Sequence, residues 1–271
     1  MFRPFRSTVA SAARSRPPIL VDDIPIFDGQ LADAIDTCAS LLARGEGARI
    51  ATANLDFLAL ARRDETLKQN LRRSSLVVAD GMPVVWLARL AGGQRVKRIA
   101  GVDLVEALCR RGGPHGTLRI AIYGSTEAVT EPGGLRLEDI GNVRVVASIN
   151  PPFRPLSDSQ REAHLAALVG SQPDVVLVAL GCPTQEQLIA DWHKSLPAAL
   201  WIGVGGTFDF FGGRRKRAPR AFRASGLEWV VRMAQEPRRL GRRYLGRDVP
   251  ALLAIAPKCV AQRWRSRSET N

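Results

Sequence analysis

The residue best placed to do chemistry is Asp80. It closes the apolar run Leu76-Val77-Val78-Ala79 and is followed at once by Gly81. A short β-branched run bounded by a turn residue reads as a strand buried on both faces. In an open parallel sheet, ligands bind outside the carboxyl ends of the strands, so this carboxylate stands where such a fold carries its chemistry. Asp is also a preferred helix N-cap, and the stretch by itself leaves both uses open. Other strand-like runs end in a similar way. Thr52 and Asn54 close residues 49–54. Gly181-Cys182-Pro183-Thr184-Gln185-Glu186 follows the most strand-like run, residues 174–180. Gly203-Val204-Gly205-Gly206-Thr207 follows Leu200-Trp201-Ile202. Glycines in that last turn permit close backbone approach to a ligand. Gly124-Ser125-Thr126 could hold a phosphate on backbone N–H groups.

Alternating strands and helices must position these turns. Residues 19–27 predict a short first strand or an edge hairpin. Leu31, Ile35, Cys38 and Leu42 recur at helical spacing, and Phe57, Leu60, Ala61 and Leu67 predict a second helix face. Further helices are expected from Pro83 to about Leu90, with proline in the first turn, and from Gly101. Strands are expected over 118–124 and 142–149. Pro132-Gly133-Gly134 predicts that the helix between them is short or interrupted. Ser157 and Gln160 form a capping-box pattern. Strands recur roughly every 25–30 residues, the spacing of βαβ units. The expected fold class is α/β: a Rossmann-like parallel sheet flanked by helices.

The formal charge of +13 is concentrated at one end. Residues 210–271 hold sixteen Lys/Arg against four Asp/Glu, so they carry +12 of it. A nearly neutral body with a strongly basic segment predicts a polyanionic partner. Arg238, Arg239, Arg242 and Arg243 fall within about 140° of arc on a helix, with Leu240 and Tyr244 pointing the other way. The expected organisation is a loose basic tail over 1–18, an α/β core over 19–211 and a basic helical appendage over 212–271. No run approaches the roughly 20 apolar residues that span a bilayer, and 1–18 lacks the apolar middle of a secretory signal. Cys38, Cys109, Cys182 and Cys259 form no CxxC pair. They predict neither a zinc site nor a disulfide framework, and a reduced, cytosolic setting fits. His115, His164 and His193 show no ligand spacing and are read as structural. Trp192, Trp201 and Trp229 are read as core or interface residues.

A set of short motifs in chain order resembles the WecG/TagA/CpsF glycosyltransferases over about residues 19 to 248. It comprises Thr52-Ala53-Asn54, Ala79-Asp80-Gly81-Met82-Pro83, Arg98 with Gly101-Val102-Asp103-Leu104, Gly181-Cys182-Pro183-Thr184-Gln185-Glu186 and Gly203-Val204-Gly205-Gly206-Thr207-Phe208-Asp209. It ends with Arg217-Ala218-Pro219, Glu228-Trp229, Arg232, Glu236-Pro237-Arg238-Arg239-Leu240 and Arg243-Tyr244-Leu245. Two departures stand out: Thr184 replaces a frequent lysine, and the helix after Gly124 is expected to be shortened. The resemblance implies transfer of a hexose or N-acetylhexosamine-type sugar from a UDP-sugar to a polyprenyl-diphosphate-linked saccharide. It also implies inversion at the anomeric carbon, no cofactor beyond the UDP-sugar co-substrate and no obligatory metal. The protein would act in exopolysaccharide-type surface polysaccharide synthesis, as a peripheral protein on the inner face of the cytoplasmic membrane. No Asp-x-Asp triplet occurs, so protein cations and N–H dipoles would have to stabilise the departing UDP.

The resemblance assigns roles residue by residue. Asp80 is the general base that takes the acceptor hydroxyl proton. Thr52 and Asn54 contact the donor sugar or the acceptor, although ordinary turn chemistry also explains them. Arg98 binds the donor diphosphate or is a surface charge. Gln185 hydrogen-bonds the sugar or uracil, while Glu186 favours the helix N-terminus. Gly205 approaches the ligand, and Asp209 either contacts uridine or holds its loop. Arg232, Arg238, Arg239, Arg242 and Arg243 engage the lipid diphosphate and an anionic membrane surface, with Leu240 and Leu245 dipping into the interface. Donor sugar, acceptor and oligomeric state, a homo-oligomer included, stay open. The competing reading is a nucleic-acid-binding protein using the basic segment. Few aromatics interleave with its arginines and no nucleic-acid motif is recognised, so no nucleic-acid partner is expected. A nicotinamide-dependent oxidoreductase is disfavoured because the first βα turn lacks the glycine fingerprint.

Overall fold

The computed structural model describes residues 17–268, apart from 216, 220, 221, 223–227 and 236. The tail expected over 1–18 therefore lies almost wholly outside the described residues. β1 (Ile19–Val21) and β2 (Ile24–Ile26) form an antiparallel hairpin, turned at Asp22 and Asp23, both with positive φ. β3 (Ala48–Ala53), β4 (Leu76–Ala79), β5 (Leu118–Gly124), β6 (Val143–Ile149), β7 (Val175–Ala179) and β8 (Leu200–Gly203) build one parallel sheet. Their spatial order is β4-β3-β8-β7-β5-β6. The outer edge of β4 does not stay open: its Val77 and Ala79 carbonyls accept N–H groups from Phe27 and Ile99. Such covering suppresses edge-to-edge pairing.

The strands are apolar on both faces because helices cover both. Ile50, Val78, Ile122, Leu177 and Ile202 face one layer: α1 (Leu31–Ala43), α5 (Gly101–Arg111), α6 (Glu127–Ile140) and the short α9 (Phe208–Phe211). Ala51, Val77, Ala121, Val176 and Trp201 face the other: α2 (Leu55–Ala61), α3 (Glu65–Arg72), α4 (Met82–Leu90), α7 (Asp158–Gly170) and α8 (Thr184–Trp192). This alternation is the two-residue period of a strand. The capping box at Ser157 and Gln160 forms at the start of α7. Beyond the sheet come α10 (Glu228–Gln235), α11 (Pro237–Arg243), a π-helical turn (Tyr244–Asp248) and α12 (Val249–Ser268). Ala251, Ile255 and Cys259 of α12 are buried in one cluster with Leu55 and Leu58 of α2 and Val84 and Leu87 of α4. The basic appendage is thus packed onto the body.

Two expectations change. The helix face expected over Phe57–Leu67 is split between two helices, because Asp64 caps α3 by accepting the Leu67 N–H at 3.0 Å. Conversely, α6 runs unbroken through Pro132. Its two glycines explain this: a Cβ on Gly133 would stand 2.9 Å from the Phe208 ring, and one on Gly134 3.4 Å from Val145. Glycine lets α6 lie close on α9 and the sheet, and that packing offsets the hydrogen bond lost at proline.

Gly124 is held by its surroundings rather than by a ligand. Its φ is +111°, and a Cβ there would fall 2.6 Å from the Ala179 carbonyl oxygen. The Ser125 N–H donates to that oxygen, so the turn joins β5 to β7. Gly124→Ala should cost at least about 2 kcal/mol through strain and a backbone clash. A urea midpoint equal to wild type would contradict this.

Candidate functional site

The strand order reverses at β3 and β8: β4 lies outside β3, and all later strands lie beyond β8. Such a switch point opens a crevice at the carboxyl ends. Thr52, 4 % exposed, donates its hydroxyl to the Gly203 carbonyl at 2.8 Å, tying β3 to β8 at the crevice floor. A Cβ on Gly101, at the start of α5, would stand 2.9 Å from Thr207 Oγ1 and 3.7 Å from Thr52. The helix therefore meets this floor end-on.

Asn54 and Asp80 end neighbouring strands. Asn54 caps α2, with Oδ1 accepting the Asp56 and Phe57 N–H groups at 2.9 and 3.4 Å. The Asp80 N–H donates to the Ala53 carbonyl at 2.8 Å, and a Cβ on Gly81 would lie 3.8 Å from that of Asn54. Asp80 is half-buried. The N-cap of α4 is Gly81, without a side-chain cap. Asp80 therefore stands one residue before the cap position.

Gln185, 1 % exposed, bridges two loops. Its Oε1 accepts the Gly181 N–H at 3.1 Å and the Gly205 N–H at 3.0 Å, and its Nε2 donates to Glu186 Oε1 at 2.7 Å. Both glycines have positive φ, at +81° and +49°. A Cβ on Gly203 would fall 2.7 Å from Gln185 Nε2 and 2.8 Å from Glu186 Oε1, so glycine is the residue this packing admits. Thus Gln185 braces the crevice wall rather than projecting into it. Burial pushes the Glu186 carboxyl up to about 7. The Cys182 thiol is pushed up by burial and by that carboxylate.

Arg98 and Asp209 lie at the rim, each in an ion pair. Arg98 reaches Glu228 of α10 at 3.0 Å and Asp103 at 3.8 Å, while Arg217 donates to Asp103 at 2.8 Å. Asp209 pairs with Arg215 at 3.2 Å and Arg214 at 4.0 Å, which holds the loop after α9. The appendage crosses near Asn54. Arg243 lies 3.8 Å from Asp56 and 3.4 Å from Asp248, and Arg247 also pairs with Asp56. Arg238 and Arg242 are exposed, whereas the side chains of Arg232 and Arg239 lie outside the described residues. Leu245 is exposed, but Leu240 is 1 % exposed. The expectation that Leu240 meets a membrane is corrected: it faces the protein side of α11.

Thr52, Asn54, Asp80, Gln185 and Gly205 are therefore gathered at the ends of β3, β4, β7 and β8. Arg98, Asp209 and Arg243 flank them through ion pairs. Asp56, Arg247 and Asp248 were missed, and Glu186 was read only as favouring the helix N-terminus. Asp56 and Arg247 carried a signal: the first lies two positions after Asn54, and the second one helical turn after Arg243.

A doubly wound sheet with polar side chains and glycine loops gathered at its switch point defines a Rossmann-like α/β protein. Residues 19–269 match the model of the glycosyl transferase WecG/TagA/CpsF family. The chain belongs to that family, and it is a glycosyltransferase of surface polysaccharide or teichoic acid synthesis.

The Glu186 shift has a stability consequence. Its carboxyl is raised from 4.5 to about 7 in the fold, so the folded protein holds this proton more tightly than the unfolded chain. Relative to Glu186→Gln, wild-type stability should fall as pH rises from about 4.5 to 7, by at most about 3 kcal/mol. Urea midpoints of both proteins on the two sides of this window test it, and a constant difference would contradict it.

Proposed function

We propose that the crevice at β3, β4, β7 and β8 transfers a hexose or N-acetylhexosamine-type sugar from a UDP-sugar, with inversion, to a polyprenyl-diphosphate-linked saccharide. The observation that carries this reading is the placement of Asp80. It is half-buried just past the end of β4, next to Asn54, on the edge where an open parallel sheet holds its ligand. There it accepts the proton of the acceptor hydroxyl as that oxygen attacks the anomeric carbon. Inversion follows from one in-line attack. Asn54, Thr52 and the Gly205 loop shape the sugar side. Arg98 lies on the next segment, for which the departing diphosphate would compete with Glu228 and Asp103. Protein cations and N–H dipoles stabilise the departing UDP.

The appendage supports the lipid side. On α12, Val249, Leu253, Val260 and Trp264 recur at four- and seven-residue spacing, so they share a face opposite Ala251, Ile255 and Cys259. That outer face is exposed, at 69 % for Leu253 and 71 % for Trp264, and the exposed Arg238 and Arg242 precede it. An amphipathic helix with basic flanks suits a membrane surface, where each cation near anionic lipid contributes about 1 kcal/mol. Among the described residues, no helix is long and apolar enough to cross a membrane.

UDP release, measured against a panel of UDP-sugars with a polyprenyl-diphosphate-linked acceptor, tests the reaction. Asp80→Asn should lower kcat by about 10²–10⁴-fold, and unchanged turnover would remove the base assignment. For the membrane, the double variant Leu253→Glu with Trp264→Glu leaves the docked face of α12 intact. It should no longer float with liposomes rich in anionic lipid, whereas flotation equal to wild type would refute the contact.

A further inference from the structure

Glu186 is 5 % exposed and lies in the first turn of α8. One of its oxygens accepts Gln185 Nε2–H at 2.7 Å, the Cys182 thiol lies against the carboxyl, and among the described residues no cation pairs with it. The nearby arginines serve other acids: Arg243 and Arg247 pair with Asp56 and Asp248. A buried carboxylate without a cation is costly, and a glutamine could accept the same hydrogen bond without the charge. The arrangement therefore has a use beyond bracing.

We propose that Glu186 is a positioning residue for donor binding: it fixes the orientation of the Gln185 amide, and through it the Gly181 and Gly205 loops, according to whether it carries a proton. The inference rests on the donor reading above. The Gln185 amide has two orientations related by a flip. In the observed one, Oε1 accepts both glycine N–H groups; in the other, Nε2 would confront two donors. An ionised Glu186 can only accept, which enforces the observed orientation. A protonated Glu186 can also donate, so it tolerates the flipped amide and loosens both loops. Gln185 and the Cys182 thiol face the carboxyl, with Asp56 of α2 and Arg247 of the π-turn beyond the thiol. Burial, which lifts this carboxyl to about 7, puts the change near neutral pH.

The test uses the intact protein and two readouts. Amide hydrogen exchange at Gly181 and Gly205, followed from about pH 6 to about pH 8 and corrected for intrinsic rates, should slow about fivefold in wild type and stay flat in Glu186→Gln. Over the same range the donor KM should fall about threefold in wild type. In Glu186→Gln it should stay at the acid-side value, with kcat changed less than about twofold. Glu186→Ala, which removes the acceptor altogether, should have the highest donor KM at every pH. Identical pH dependence of exchange in wild type and Glu186→Gln would overturn the proposal. The predicted exchange pattern with no turnover of any UDP-sugar would overturn the donor reading and leave the positioning device standing.

Discussion

The site depends on how three parallel strands are fastened where they end. A parallel sheet leaves its carboxyl edge as a row of separate loops, since each strand continues into its own crossover. Here the Thr52 hydroxyl ties β3 to β8 through the Gly203 carbonyl, and the Gln185 amide ties the loop after β7 to the loop after β8. Gly203 makes the second tie feasible, because any side chain there would occupy the space of the Gln185 and Glu186 head groups. With these struts in place, the loops after β7 and β8 are held in a fixed shape beside the ends of β3 and β4. Preorganised geometry of this kind is what lets a polar group act on a transition state without reorganising first.

The second constraint is electrostatic. Asp56 and Asp248 are held against Arg243 and Arg247 near the end of β3. Burial nonetheless pushes the Asp248 carboxyl up to about 6, a sign that the arginines offset its desolvation incompletely. This cluster, with the apolar seat of Ala251, Ile255 and Cys259, sets the appendage beside the crevice rather than leaving it as a free basic tail. Some of the basic charge seen in the sequence is therefore internal. Arg238 and Arg242 face outward, and Arg243, Arg247, Arg98 and Arg217 are matched to acids.

Much of the fold was legible because its signals are local. Apolar runs of four to seven residues gave the strands, and the Ser157–Gln160 box gave the start of α7. Signals that act at a distance were not legible. Pro132-Gly133-Gly134 looked like a helix breaker, yet the fit of those glycines against Phe208 and Val145 keeps α6 whole. The site divides along the same line. Asp80 and Asn54 could be placed from the strands they close. That Gln185 points into the wall, or that Leu240 points into the protein, depends on partners far along the chain. The burial of Glu186 was unreadable in this sense, because Gly203 of β8, seventeen residues on, packs against its head group.

The central claim is that an activated sugar nucleotide occupies the carboxyl-edge crevice. Chemical-shift mapping of the labelled protein with UDP alone tests it most directly. Bound UDP should shift resonances chiefly at residues 52–54, 80–81, 98–101, 181–186 and 203–207. Shifts confined instead to the outer groove between α3 and α8, lined by Asp64, Asn70, Arg161 and Gln187, would contradict it.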